Sequence, residues 1–376
     1  MKTRIDTIEL SGIRAFSEYC QQFEDIVFLT IGEPDFDTPQ VIKDALIRSV
    51  SNNETHYPPA IGLTSLREKI AAYENTHFSD SFTKENVIVT AGATEGLTLG
   101  MWTTLQAGDE IIVPTPCFAL YFSQAELCGA KAVSLYNADH NFQITPQMLE
   151  DVVSDKTRAI LLTSPNNPTG AVLDQASLDA VCDFAKKYDL KILLDDVYRS
   201  FIYEGDCPSI RSRADMKDRL IIIQSFSKSH AMTGWRLGYL IADEALISNM
   251  HKLHQNLVTG IPTFVQKAVE EAMDLDLTYM QDDYKVRRDY VVERLNKMGL
   301  SVEAPKGAFY IFPNITKYDS DSLAFAKRIL KEAKIAMIPG IYFGQDGYLR
   351  ISYCYSMDVL KEAMDRLERF MNTLNQ

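Results

Sequence analysis

The stretch RLIIIQSFSKSHAMTGWRLGY, Arg219 to Tyr239, starts as an apolar run and turns at once into a serine-rich segment that carries one lysine, Lys228. A short apolar run that stops at polar turn residues reads as a buried strand. The same pattern precedes it in NVIVTAG, DEIIVPTP, AVSLY, RAILLTSP and KILLDDVY. Between these runs lie helical patterns such as SLDAVCDFAKKYD, in which Leu178, Val181, Cys182 and Ala185 share one face. Strands alternating with helices predict an α/β fold with a mostly parallel sheet covered on both sides. Ligands of such sheets bind beyond the carboxyl ends of the strands, and Lys228 falls at one of those ends.

Further along, the pattern changes. GAFYIFPNI and GYLRISY read as strands, and SLAFAKRILKEA and MDVLKEAMDRLERFMNTL as helices; in the last, Leu360, Met364, Leu367, Met371 and Leu374 recur at helical spacing. These predict a smaller α+β domain, formed by residues 276–376 with the N-terminal arm 1–34 packed on it. Residues 35–275 form the larger domain, and a long helix beginning between Thr263 and Met280 joins the two.

The chain has 376 residues and 46% hydrophobic content, enough for a large core. Its net charge of -13 argues against nucleic acid or an anionic membrane as partner, because polyanion binding needs a basic patch. No apolar run reaches the roughly 18–20 residues of a membrane span, and MKTRIDTIELSG lacks a signal-peptide core. The expected location is the cytoplasm. The six cysteines are scattered, with neither a CxxC pair nor histidines at metal-ligand spacing, so they are expected to be free thiols and no metal is expected.

Several strand ends carry reactive side chains. Lysine becomes a nucleophile toward carbonyls when it is desolvated or set beside another cation. Around Lys228, Ser225, Ser227 and Arg236 offer hydroxyls and a guanidinium suited to a phosphate. LLDDVY ends a strand in Asp195 and Asp196, followed by Tyr198. TAGATEG places Gly92, Ala93 and Thr94 where a strand passes into a helix, whose first amides favour an anion. This segment is neither GxGxxG nor GxxxxGK[ST], which disfavours a dinucleotide or ATP site. SPNNPTG is by itself only a turn signal. Arg350 lies inside the apolar run of GYLRISY, where a guanidinium needs an acidic or carboxylate partner.

The motif SxSKxxxxxGWRxG closely resembles the Schiff-base segment of pyridoxal-phosphate aminotransferases of fold type I, class I/II, and the likeness runs from TIGEPDF to LRISY. It implies pyridoxal 5'-phosphate as cofactor and Lys228 as the residue that binds its aldehyde. Asp195 would pair with the ring nitrogen, Tyr198 and Asn167 with the ring oxygen, and Phe118 would stack on the ring. The phosphate would be held by Gly92, Ala93, Thr94, Ser225, Ser227 and Arg236, with Tyr57 reaching in from the neighbouring subunit of a homodimer. Asn167, Gly32 and Arg350 would take the substrate carboxylate.

SGIR, KSHAMTGWR and GAFYIFP are most similar to a subgroup of N-acetyl-LL-diaminopimelate aminotransferases of lysine biosynthesis, with aromatic aminotransferases close by. The substrates implied are an L-amino acid and a 2-oxo acid. Ile13, Arg14, Phe16 and the stretch Gln255 to Pro262 are candidate side-chain linings. Phe118, where relatives often carry Tyr, and Cys117 before it mark a departure in the pocket. A carbon–sulfur β-lyase, which would release pyruvate from cystathionine without a keto acid, is the enzymatic alternative.

Overall fold

The computed structural model describes residues 4–78, 81–205, 207–300 and 302–374. The first three and last two residues of the expected smaller domain, and the opening of the segment read against a signal peptide, lie outside the described residues. Six apolar runs form strands of one sheet: β1 (Val87–Thr90), β2 (Glu110–Thr115), β3 (Lys131–Tyr136), β4 (Thr157–Thr163), β5 (Lys191–Asp195) and β6 (Leu220–Ser225). A seventh strand, β7 (Gly238–Ile241), completes the order β1-β7-β6-β5-β4-β2-β3. All neighbours are parallel except at β7, which runs antiparallel to β1 and β6. The reason is the connection. Between β6 and β7 lie only the one-turn helix Phe226–Ser229 and a 3-10 turn, Thr233–Trp235; with no crossover helix to return it, the chain comes back the other way.

Alternation along the strands feeds two cores. Val87, Val89, Ile160, Leu162, Ile192 and Ile222 face one side, while Ile88, Ala159, Leu161, Leu193, Ile221 and Ile223 face the other, all essentially fully buried. A sheet covered on both faces is what lets β-branched runs of this kind escape water.

A third core unites the two ends of the chain. Phe16, Val27 and Leu29 pack with Ile311, Ile335, Ile351 and Leu367. Strand Val27–Phe28 pairs in parallel with Ile335–Ala336, and Ile338–Pro339, Leu349–Ser352 and Tyr310–Ile311 form an antiparallel sheet. The helix Met357–Leu374 buries Leu360, Met364, Leu367 and Met371. The helix Thr278–Lys297, 20 residues long, follows the separate helix Thr263–Glu270 and adds Met280, Tyr284, Val291 and Leu295 to this core.

Candidate active site

The carboxyl ends of β1, β2, β4, β5 and β6 and the amino end of β7 share one edge of the sheet, because β7 alone is reversed. That edge opens into a cavity of about 460 Å³. Its walls include Gly32, Ala93, Thr94, Phe118, Asn167, Asp195, Tyr198, Ser225, Ser227, Lys228, Arg236 and Arg350. Residues scattered over most of the chain therefore meet in one place.

Lys228 sits in the short helix Phe226–Ser229 and donates from Nζ to the Gly32 carbonyl at 2.5 Å. Burial, with Arg350 and Arg236 nearby, lowers its ammonium to about 8, so a useful share is free amine near neutral pH. Asp195 closes β5 and is 5% exposed. Burial pushes its carboxyl up to about 6, against the stabilising hydrogen bonds of the Tyr121 hydroxyl (2.9 Å) and the Val197 amide. A buried acid held this way gains from a protonated partner. Asp196 points elsewhere: it faces Arg211 at 3.5 Å and Arg199 at 3.8 Å. One acid of the pair faces the cavity, and the other is a buried ion-pair partner.

Arg350 lies on the strand Leu349–Ser352 at 3% exposure. It donates to Asn167 Oδ1 at 3.0 Å and to the Thr30 carbonyl at 2.5 Å, and its buried Nε has no hydrogen-bond partner among the described residues. Leaving part of a buried guanidinium unpaired costs free energy unless an anion completes it. Tyr310 stacks under this guanidinium, with the ring centre 4.7 Å away, and shares a hydrogen bond of 2.7 Å with the Tyr198 hydroxyl. Burial raises Tyr198 well above the ordinary phenol range, so it stays a neutral hydroxyl. A Cβ on Gly32 would land on the Tyr310 hydroxyl; only glycine lets that backbone approach.

The third wall is built for an anion. The helix Ala93–Thr104 starts after Gly92 with no side-chain cap on its first amides. Gly92 itself lies just behind the wall, at φ +77, and a Cβ there would come within 3.0 Å of Arg236 Nη2. Ser225 Oγ accepts from the Ser227 amide and lies 2.9 Å from Ser227 Oγ. Two hydroxyls, open helix amides and one guanidinium make a phosphate-sized cradle.

Not every expected residue arrives. Tyr57 is 91% exposed and outside the cavity of the single chain. Phe16 is corrected from lining to core: its helix, Gly12–Cys20, turns Ile13 and Arg14 to the cavity and Phe16 inward at 3% exposure. Residues 255–262 also lie off the cavity wall. Cys117 is buried beside the cavity without lining it, and all six cysteines are free. Tyr121, Tyr310 and Thr30 were not singled out from sequence. Tyr121 follows Phe118 by three residues, a spacing that puts both near one helix face; the other two carry no local signal.

The residues fit pyridoxal phosphate: an amine shifted toward neutral pH, a buried acid in no ion pair among the described residues, an open phosphate cradle and an incompletely paired guanidinium lie around one cavity. Among the described residues no helix is long and apolar enough to cross a membrane, and no cluster of His, Cys, Asp and Glu is placed to hold a metal.

Residues 24–367 match the model of the family "Aminotransferase class I and II". The chain is 40% identical to an aspartate aminotransferase of Pyrococcus horikoshii over 97% of its own length and 96% of that protein. It is 38% identical to a probable N-acetyl-LL-diaminopimelate aminotransferase of Bacillus subtilis, covering 97% and 94%. The crystal structure of an aromatic aminotransferase from Pyrococcus horikoshii superposes with a TM-score of 0.91 at 39% identity, covering 95% of this chain and 99% of that one. With Lys228 and Asp195 at one edge of a seven-stranded sheet and Arg350 reaching the same cavity from the three-stranded sheet, the chain belongs to the class I and II aminotransferases, enzymes of fold type I that depend on pyridoxal phosphate.

Proposed function

We propose that this aminotransferase exchanges an amino group between glutamate with 2-oxoglutarate and a second amino acid, N-acetyl-LL-diaminopimelate, in lysine biosynthesis. Pyridoxal phosphate, when bound, supplies an aldehyde for the amino group and an electron-withdrawing ring. Lys228 Nζ, displaced by the substrate amine, would take the proton from the substrate Cα and deliver it to the carbon that enters as the cofactor aldehyde, and would run the same transfer backwards for the second keto acid. Asp195 would pair with the protonated ring nitrogen, and Tyr198 would donate to the ring oxygen. Arg350 and Asn167 hold the α-carboxylate, which also fixes the Cα beside Nζ. Both half-reactions use the same groups, so the kinetics are ping-pong.

Arg14 carries the substrate reading. It lines the same cavity as Arg350, is exposed, and no ion pair among the described residues engages it. With Arg350 assigned to the α-carboxylate and Arg236 to the phosphate, Arg14 is left for a second, distal carboxylate. The Bacillus subtilis relative supports that choice. Apolar wall residues Ile13, Ile31, Leu97, Leu120 and Val197 favour an aromatic amino acid as the second reading. We place the enzyme in the cytoplasm, as its six free thiols favour, as a homodimer in which Tyr57 completes the partner's phosphate site.

A panel of amino acids with 2-oxoglutarate tests this. Arg14→Ala is expected to lower kcat/KM for the acetylated diaminopimelate by about tenfold or more and to leave phenylalanine unchanged. Equal loss on every substrate removes Arg14 as a selector, and phenylalanine outperforming all acidic donors selects the aromatic reading. Pyruvate formed from cystathionine without a keto acid would mark a β-lyase instead.

A further inference from the structure

Behind the phosphate cradle lies a fully buried histidine that the reaction does not use. His254 sits in the helix Glu244–Leu257 at 0% exposure. Its Nδ1 lies 2.7 Å from Glu95 Oε1, and its Nε2 lies 2.7 Å from the Ala60 carbonyl. A carbonyl oxygen only accepts, so Nε2 carries a proton.

Glu95 is in the first turn of the helix Ala93–Thr104, and its other oxygen, Oε2, accepts from the Ala91 amide at 2.6 Å. One ring nitrogen of His254 thus meets the first turn of this helix and the other meets a loop carbonyl.

The three segments joined here all bear on one anion. Ala91 and Glu95 bracket the turn of Gly92, Ala93 and Thr94. Ala60 lies in the loop of Tyr57, which is further tied by Thr263 Oγ1 to the His56 carbonyl and by the Val89 amide to the Ile61 carbonyl. We propose that His254 is a positioning residue for the coenzyme phosphate: engaged through both ring nitrogens, it clamps the first turn of the phosphate-facing helix to the loop that carries Tyr57. The inference rests on the reading of Ala93 and Thr94 as phosphate contacts.

The experiment compares two probes, pyridoxal phosphate and pyridoxal, the second able to react with Lys228 but lacking the phosphate. Retention of each on the full-length protein is followed by visible absorbance after dilution. His254→Leu is expected to weaken retention of pyridoxal phosphate by about ten- to a hundredfold, the loss typical of hydrogen bonds to charged groups, and to leave pyridoxal unchanged. Glu95→Gln, which keeps the shape of the side chain, is expected to do the same. Equal loss of both probes, or no loss of either, in a folded variant overturns the proposal. Wild-type protein holding pyridoxal as firmly as the phosphate ester would instead overturn the phosphate-site reading on which it rests. Nitrogen NMR of labelled histidine in the unmodified holoenzyme is independent of any variant's folding: both ring nitrogens of His254 are expected to be hydrogen-bonded, and a ring nitrogen without a partner overturns the clamp.

Discussion

Lys228 and Asp195 are displaced toward each other in acidity by the same cause, loss of water. Burial lowers the lysine to about 8 and raises the aspartate to about 6, so each sits closer to neutral pH than its free counterpart. Asp195 and its neighbour Asp196, also raised to about 6, keep a proton in the folded chain over a range where the unfolded chain has lost it. The folded state then binds more protons, and stability of the coenzyme-free protein falls as pH rises from about 4 to about 6. On the proposed reading, a ring-nitrogen proton facing Asp195 would remove that residue's share. Addition of pyridoxal phosphate is therefore expected to raise Tm more at about pH 7.5 than at about pH 5. Asp195→Asn is expected to shrink that difference and to cost nearly all turnover; thermal scans of both proteins at both pH values check it. Arg350→Ala is expected to raise the KM for the amino acid while the visible absorbance of bound coenzyme stays, because on the proposed reading the guanidinium is the charged partner of the substrate carboxylate, and its neighbour Asn167 is not charged.

Among the elements, the junction of β1 with the helix Ala93–Thr104 carries the greatest constraint. Gly92 has φ +77 and ψ 178, a region reached almost only by glycine. A methyl there also meets Arg236, which is itself in the left-handed region at φ +54. Gly92→Ala is expected to destabilise the protein by about 1–3 kcal/mol and to weaken coenzyme retention by pushing the guanidinium away. Urea unfolding and coenzyme titration measure the two effects separately. β7 matters at the same scale. Its reversal brings Arg236, two residues before the strand, to the edge where the other strands end.

For the molecule as a whole, the site proposed above is shared, and a hybrid dimer tests this. If Tyr57 serves the partner's phosphate, a dimer pairing one Lys228→Ala subunit with one Tyr57→Ala subunit contains one site with both wild-type groups and one with neither. Each hybrid dimer is then expected to have about half the wild-type activity, so an equal mixture of the two weakly active variants after random exchange is expected to recover about a quarter. If each subunit uses its own Tyr57, no site in the hybrid is intact and mixing restores nothing. Subunit exchange followed by an activity assay separates the two.

Local pattern was enough for the strands, the lysine-bearing turn and the acid at the end of β5, because burial periodicity and turn chemistry are written in neighbouring residues. The motif segments likewise named most of the residues that line the cavity. What neighbouring residues do not encode is which distant groups touch. That Tyr121 donates to Asp195, that Tyr310 lies under Arg350, and that Phe16 turns inward were decided by packing between segments far apart in the chain. So was the pairing of His254 with Glu95, 159 positions apart: a hydrogen bond between two helices depends on how both dock on the sheet, and no spacing along the chain records that.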